Sequence, residues 1–568
     1  MSPTYRWQIF PANPTLSERL ATELGISAIT AQILLNRNIR SLRQAQEFLN
    51  PDLLWETSKT LDWPAMAEAV VTIQAIVDAK APVFLYADYD VDGATSLAMM
   101  LSFFKANSVP VGYRIPHRQR DGYGVHAPYM DEIAQAQPTL LITLDCGITN
   151  GPELLHFRSA CPHAKVMIFD HHLLPETLPP ADIIVNPKCL PPDHPAYGLC
   201  TAGLIHTFLT VYHHRMGISW DDSQTVDLAA LGTIADVAPL THFNRSLTQR
   251  GLLSLSQRKR PGIRHLLNAA DLTHHQLTVR DVGFSLAPRL NAAGRLSHAK
   301  WAVETLVAEE DHAAQSLALR LNRLNEDRRT LCQHHLDEAV AWLKAHPEAL
   351  DAPAIAVPGA GWHAGVVGIV ASQLCQQYQK PAVVIAHDAE TGRASARTFG
   401  TVDIHAVLAQ CDSHFLHFGG HRQAAGFAIQ TDRIPLFLTA FREAASAAIH
   451  PDDLTHTLDI DASVSPDILT EQLAAEMTTL GPFGQGNPMP VLMTEGLRVI
   501  ESRTVGQGRH LKARFTDASG RIIVDGIGFG LADKINALYA AQPKLAFGLE
   551  MNHWNGQKTL QLQLLDIL

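Results

Sequence analysis

The chain has 568 residues, 46% of them hydrophobic and 18% charged, with 45 basic against 56 acidic side chains and a net charge of −11. That length exceeds one ordinary core and predicts two to four domains, while the acidic balance excludes a general basic coat, so any nucleic-acid contact must use local basic grooves. No apolar run approaches the roughly 18 residues of a membrane span, and the N-terminal MSPTYRWQIFPANP lacks the pattern of a secretory signal. The seven cysteines are scattered without a C-x-x-C pair, which points away from a disulfide framework or zinc knuckle and toward a reducing cytoplasm.

Residues 1 to about 60 read as short polar helices, clearest in LSERLATELG and SLRQAQEFLN. From Ala81 the pattern changes. PVFLYADYD, VPVGYRIP, TLLITLDCG and AKVMIFDHH are short apolar runs separated by helical stretches, the signature of βαβ units on a buried parallel sheet. Ligands of such sheets bind at the carboxyl ends of the strands. Residues 300–345 carry a long helical period with one expected break near Asp311. A second α/β unit follows, with APAIAVPG, a helix over 366–379 and PAVVIAHD. Beyond about 455 many short strands and one helix (ADKINALYAAQ) predict a small β-barrel of OB type.

The strongest chemical signal is Asp88-Tyr89-Asp90-Val91-Asp92-Gly93, three aspartates alternating at the end of an apolar run. Alternation in an extended chain puts the three carboxylates on one face, where cations must offset their repulsion, and Gly93 permits a turn into the next helix. A calcium loop of EF-hand type would need Glu where Met99 stands. Asp145 ends the next run and the Asp170-His171-His172 triplet ends a third. Asp236 follows the apolar stretch LAALGTIA. Each alone is as readily a cap or an incidental surface group. Together, four such segments in one α/β domain predict a site for two divalent ions, Mn or Mg, that activate water and stabilise the leaving oxygen of an in-line displacement. Residues 245–264 hold six Arg or Lys and no acid, which reads either as a strand-binding face or as a solvated basic one. Arg503, Arg509, Lys512 and Arg514 with Phe515 form a candidate groove in the tail, although Phe515 alone reads as core.

YADYDVDGATS, LDCG, DHH and the GTIAD acid resemble, in order, the four motifs of the DHH phosphoesterase superfamily. APRLNAAGRLSHA, LNRLNEDRR, GWHAGVVGIVASQL, SART, FGGHRQAAGF and PFGQGNPMP resemble its RecJ exonuclease branch, over about residues 5–568. AYGLCTAGL departs from the glycine-rich form of that branch. The resemblance implies a helical lead-in over 1–60, a parallel-sheet DHH catalytic domain over 61–300 and a connecting helix over 301–350. A smaller α/β domain of DHHA1 type over 351–452 and an OB-type β-barrel over 453–568 complete it. It implies single-stranded-DNA degradation from the 5′ end to mononucleotides, in recombination and repair, by a monomer working beside a helicase and a single-strand-binding protein. By position, Asp90, Asp92, Asp145, His171 and Asp236 match metal ligands, and Asp145 the one that bridges both ions. Asp88 and His172 match catalytic positions beside them, His172 at the scissile phosphate, with Asp170 orienting His171. Arg118, Arg289, Asn291, Arg295, Ser395, Arg397, Gly419, Gly420 and His421 match strand-gripping positions, where the planar arginine fork suits phosphate. A hydrolase of short oligonucleotides and a non-catalytic DNA-binding relative are the alternatives within the superfamily.

Overall fold

The computed structural model describes residues 5–58, 61–273, 276–554 and 557–568. It comprises two compact units, one of Asn50–Thr330 with Pro482–Asn487, the other of Met1–Leu49, Leu331–Gly481 and Pro488–Leu568.

The first unit is built on a five-stranded sheet in the order Val111–Arg114, Val83–Ala87, Leu140–Leu144, Lys165–Phe169, Ile183–Val185, with every pairing parallel. Val83, Leu85, Ala87, Ile142 and Leu144 point into one apolar cluster; Tyr86 and Leu141 point into another on the opposite face. Burial on both faces is what turns these strands into unbroken apolar runs. In chain order the strands lie 2-1-3-4-5, so the order reverses between Val83–Ala87 and Leu140–Leu144. The crevice at such a reversal is where ligands of open parallel sheets bind. A helical layer follows, including Thr201–Met216, Val226–Ala235, His242–Ser256 and Ala287–Leu296. The expected break before Asp311 is present: one helix ends at Val307, and Asp311–Ala345 then runs for 35 residues, about 52 Å.

The second unit holds a five-stranded sheet in the order Phe415–His421, Ala424–Gln430, Thr391–Arg397, Ala382–His387, Ile355–Ala360, parallel only in the last pair. It also holds a seven-stranded sheet between Ala462 and Ile567. Among the described residues, no pairing joins the two outer strands of that sheet, Ala462–Ser463 and Arg498–Val505, so the expected OB-type barrel is not closed by hydrogen bonds.

Three details differ from the sequence reading. The N-terminal segment opens with a strand, Tyr5–Ile9, parallel to His456–Ile460. Its pairing partner is about 450 residues away, beyond the reach of a local pattern. The predicted ADKINALYAAQ helix winds as a 3-10 helix over Ala532–Tyr539, held by Leu538 in the core and a Lys534–Asp566 ion pair. The PFGQGN stretch, read as part of the tail, belongs to the first unit, where Leu240 donates its N–H to the Gln485 carbonyl at 2.7 Å. Among the described residues, no helix is long and apolar enough to cross a membrane.

Candidate metal centre

The first acidic motif converges by helix capping rather than by alternation. The strand ends at Ala87, and Asp90 is the N-cap of the Val91–Ala106 helix, its Oδ1 accepting from the N–H groups of Asp92 at 2.9 Å and Gly93 at 3.2 Å. Asp92 lies in the first helical turn. The chain coils where extension was expected because a carboxylate one residue ahead of a helix satisfies amides that otherwise lack partners. Gly93 lies inside this helix rather than at a turn, and a Cβ there would overlap the Asp88 carbonyl oxygen.

Asp92 is 1% exposed and receives a second helix end. Its Oδ2 accepts from Thr201 N–H at 2.8 Å and its Oδ1 from Ala202 N–H at 2.7 Å. These are the first amides of the Thr201–Met216 helix, whose positive end favours an anion. The AYGLCTAGL segment supplies this cradle, a role that sequence reading missed because 109 residues separate the partners.

Asp145 follows its strand at φ 62°, a left-handed conformation that costs a non-glycine residue on the order of 1 kcal/mol or more. Its N–H is held by the Phe169 carbonyl at 2.9 Å, and its Oδ1 accepts from the Thr201 hydroxyl at 3.2 Å. His171 Nε2 lies 3.3 Å from Asp145 Oδ1 and 3.8 Å from Asp92 Oδ2, with its Nδ1 3.8 Å from Asp236 Oδ2. Three triads of the first unit, among the described residues, bring their ligand atoms within 4.8 Å of one another: Asp88, Asp90 and Asp145; Asp92, His171 and Asp236; Asp145, His171 and His172. Asp145 and His171 each belong to two of them.

Asp170 is placed differently from expectation. Its Oδ1 lies 2.7 Å from His172 Nδ1 and accepts from the main-chain N–H of His171 and His172, while Oδ2 accepts from Ile148 N–H. Asp170 therefore orients the His172 ring, not that of His171. Tyr123, absent from the sequence-derived set, places its hydroxyl 3.0 Å from His172 Nδ1 and donates to the Asp145 carbonyl at 3.3 Å. Its signal was an aromatic residue in the loop that carries Arg118.

Burial, then mutual repulsion, hold Asp88 and Asp145 well above the usual carboxylate range. Burial likewise raises Asp92, and burial with the nearby Asp92 and Asp90 pushes Asp236 up to about 8. Burial lowers His171, which leaves its imidazole neutral with a lone pair to offer. Burial opposes charge on His172, but its bond to Asp170 outweighs that and raises it to about 9. Asp88 Oδ1 is buried without a hydrogen-bond partner. An orphaned carboxylate oxygen, packed acids and a neutral imidazole fit hard divalent cations, which relieve all three costs together.

The positions expected to grip a strand fall into two groups. In the first unit, the Arg118 guanidinium lies 4.8 Å from the centre of the Tyr89 ring, and Gln119 donates to the Arg295 carbonyl at 2.5 Å, so this loop meets the Ala287–Leu296 helix that carries Arg289, Asn291 and Arg295. Arg289 itself is engaged internally, with Ser285 O at 2.6 Å, Asn322 Oδ1 at 2.9 Å and Ala269 O at 3.3 Å. In the second unit, Arg397 Nη1 donates to Ser395 Oγ at 2.8 Å. Both side chains face Gly368 at the start of the Val367–Tyr378 helix. Ser395 aligns with Gly426, and Gly426 with Gly419, across three adjacent strands; Gly419, Gly420 and His421 are exposed.

The basic stretch 245–264 is not a free basic face. Arg245 is fully buried, Arg250 pairs with Asp52 and Asp222, Arg260 with Asp227 and Arg264 with Asp311, while Arg258 donates to the Leu272 carbonyl. In the tail, Arg503, Arg509, Lys512 and Arg514 are exposed and Phe515 is core, with Arg514 bonded to Asp525 at 2.8 Å.

Residues 82–233 match the DHH family N-terminal domain, 351–447 the DHHA1 domain and 460–566 the RecJ OB domain. The chain is 32% identical over 544 residues to the single-stranded-DNA-specific exonuclease RecJ of Haemophilus influenzae, covering 92% of each protein. It is 31% identical over 565 residues to RecJ of Bacillus subtilis, covering 99% of this chain and 70% of the relative. The crystal structure of RecJ from Thermus thermophilus in complex with Mn2+ superposes with a TM-score of 0.84 at 29% identity, over 99% of this chain and 79% of that one; the Mg2+ complex gives 0.77 at 27%, over 99% and 78%. A parallel sheet with acids gathered at its switch point, the three matched domains and relatives aligned along nearly the whole chain lead to one conclusion: this chain belongs to the RecJ family.

Proposed function

We propose that this chain is a metal-dependent, single-stranded-DNA-specific exonuclease that works from the 5′ end and releases mononucleotides. The observation that carries the reading is the junction of Asp88, Asp90, Asp92, Asp145, His171 and Asp236 at the switch point of the sheet, with Asp88 Oδ1 buried and unpartnered. Asp90, Asp92, Asp145, His171 and Asp236 would hold Mn2+ or Mg2+, with Asp88 closing the acidic side. When bound, the ions supply Lewis acidity to the scissile phosphate and lower the pKa of water. His172, held cationic by Asp170, donates to a phosphate oxygen, and Tyr123 fixes its ring. Ser395, Arg397 and the strand end Gly419–His421 receive backbone phosphate, supported by the fork geometry of arginine and by a helix N-terminus at Val367.

The protein acts in recombination and repair as a monomer beside a helicase and a single-strand-binding protein. A cytoplasmic setting is supported by seven free cysteines, six of them buried. The deciding assay follows a single strand labelled at either end, with Mn2+ and with EDTA. Early release of the 5′ label as mononucleotide, only with metal, is expected. Early release of the 3′ label overturns the polarity, and tight binding without cleavage overturns the enzyme. Faster hydrolysis of a dinucleotide than of a long strand favours a short-oligonucleotide substrate.

A further inference from the structure

Phe284 is 81% exposed, more than any other large hydrophobic side chain among the described residues. It sits in a π-helical turn, Val282–Leu286, that leads directly into the Ala287–Leu296 helix. Such turns insert an extra residue, widen the helix and recur at functional sites. The turn is braced: Arg289 donates to the Ser285 carbonyl at 2.6 Å and reaches back to Ala269 and forward to Asn322. Val282 and Leu286 are buried on either side, so the anchored turn projects Phe284 outward.

The turn also has a defined neighbour. A Cβ built on Gly283 would stand 3.7 Å from Ile234 Cγ2, so the turn packs, at the residue before Phe284, against the end of the Val226–Ala235 helix, which leads into Asp236. Val237, which follows Asp236, is 65% exposed and holds φ 58°, a conformation rarely adopted by a β-branched residue. The turn that carries the exposed aromatic ring thus packs against the helix end that leads into Asp236, an acid of one ligand triad, and into the strained, exposed Val237.

We propose that Phe284 is a stacking platform for one nucleobase of the single strand held at the metal centre. The inference rests on the proposed function. A phenylalanine offers phosphate nothing, whereas every base presents a face to an aromatic ring, so the platform is tolerant of sequence, as an exonuclease requires. Arg289 then acts as a positioning residue that fixes the π-turn, and Asn291 and Arg295 continue along the same helix.

The test compares the wild type with Phe284→Ala and Phe284→Trp on a thymidine 20-mer and on strands with one abasic position moved along the sequence. Phe284→Ala is expected to raise KM about tenfold, with the loss in KM rather than kcat, and Phe284→Trp to restore it. One abasic position weakens the wild type by a similar factor and leaves Phe284→Ala no weaker. Equal KM for wild type and Phe284→Ala, or abasic penalties that are the same in both, overturn the platform while the strand is still degraded. A wild type that degrades no strand overturns the proposed function instead, so the two failures are distinguishable.

Discussion

Two strand-to-helix junctions show how differently one device is used in the two units. In the first unit, Val83–Ala87 leads into Val91–Ala106; in the second, Ile355–Ala360 leads into Val367–Tyr378. Each helix carries a glycine in its first turn, and in each the glycine lets something approach the helix closely. At Gly93 the approaching atoms are the main chain of Asp88, which cannot yield. At Gly368 they are the ends of two side chains, Arg397 Nη2 at 2.9 Å and Ser395 Oγ at 3.0 Å from a hypothetical Cβ, and these can swing aside. The first site is a buried assembly of carboxylates set by backbone geometry. The second is lined by the ends of two half-buried side chains proposed to grip phosphate, so the same substitution should be severe in one and mild in the other.

The most direct way to sharpen this contrast removes the acid shared by two triads. Asp145→Asn should lower kcat at least about a thousandfold and abolish high-affinity Mn2+ binding in calorimetry. Retention of both would detach the acidic cluster from the chemistry. Gly93→Ala should destabilise the protein by about 3 kcal/mol, a melting decrease of roughly 6–12 °C for a unit of this size, because a rigid carbonyl blocks the new methyl group.

The acidic cluster also sets a pH signature. In the metal-free protein Asp236 is raised from 3.8 to about 8 and His172 from 6.5 to about 9, so the folded state holds more protons than the unfolded chain. The contribution of both groups to stability is greatest at low pH. It is lost as pH rises, through roughly 4 to 8 for Asp236 and 6.5 to 9 for His172. Melts in EDTA should therefore fall between pH 5 and 9, and saturating Mn2+ should flatten the decline by taking the place of the carboxyl proton. A metal-free melting temperature that climbs over that range would break the picture of protonated, crowded acids. The smallest effect belongs to the proposed phosphate grip. Gly368→Ala should raise KM for a 5′-phosphorylated strand only a few fold, and Arg397→Ala about tenfold, both read from initial rates. A loss at Gly368 as large as that at Gly93 would erase the difference between the two junctions.

The strands of the catalytic sheet were legible because burial on both faces leaves an unbroken apolar run, and the acids that end those runs marked the site. How the acids meet was not legible. Asp90 as a helix cap, Asp92 seated on the amides of Thr201 and Ala202, and Asp170 turned toward His172 depend on hydrogen bonds that side-chain spacing does not encode. The basic run 245–264 misled for a related reason: charge can be counted in a sequence, but the acids that pair with it, Asp52, Asp222, Asp227 and Asp311, are recognised only after folding. The open edge of the seven-stranded sheet is likewise a matter of register between distant strands.

The parallel pairing of Tyr5–Ile9 with His456–Ile460 carries a consequence for biosynthesis. At about 5–20 residues per second, the first strand waits roughly 20 to 90 seconds before its partner leaves the ribosome. During that interval Asn50–Thr330, which forms most of a compact unit by itself, has its whole sequence in hand. The acidic cluster can thus assemble while the Tyr5–Ile9 strand still lacks its pairing partner, and while the Trp7 indole still lacks Asp566, to which it finally donates at 2.8 Å.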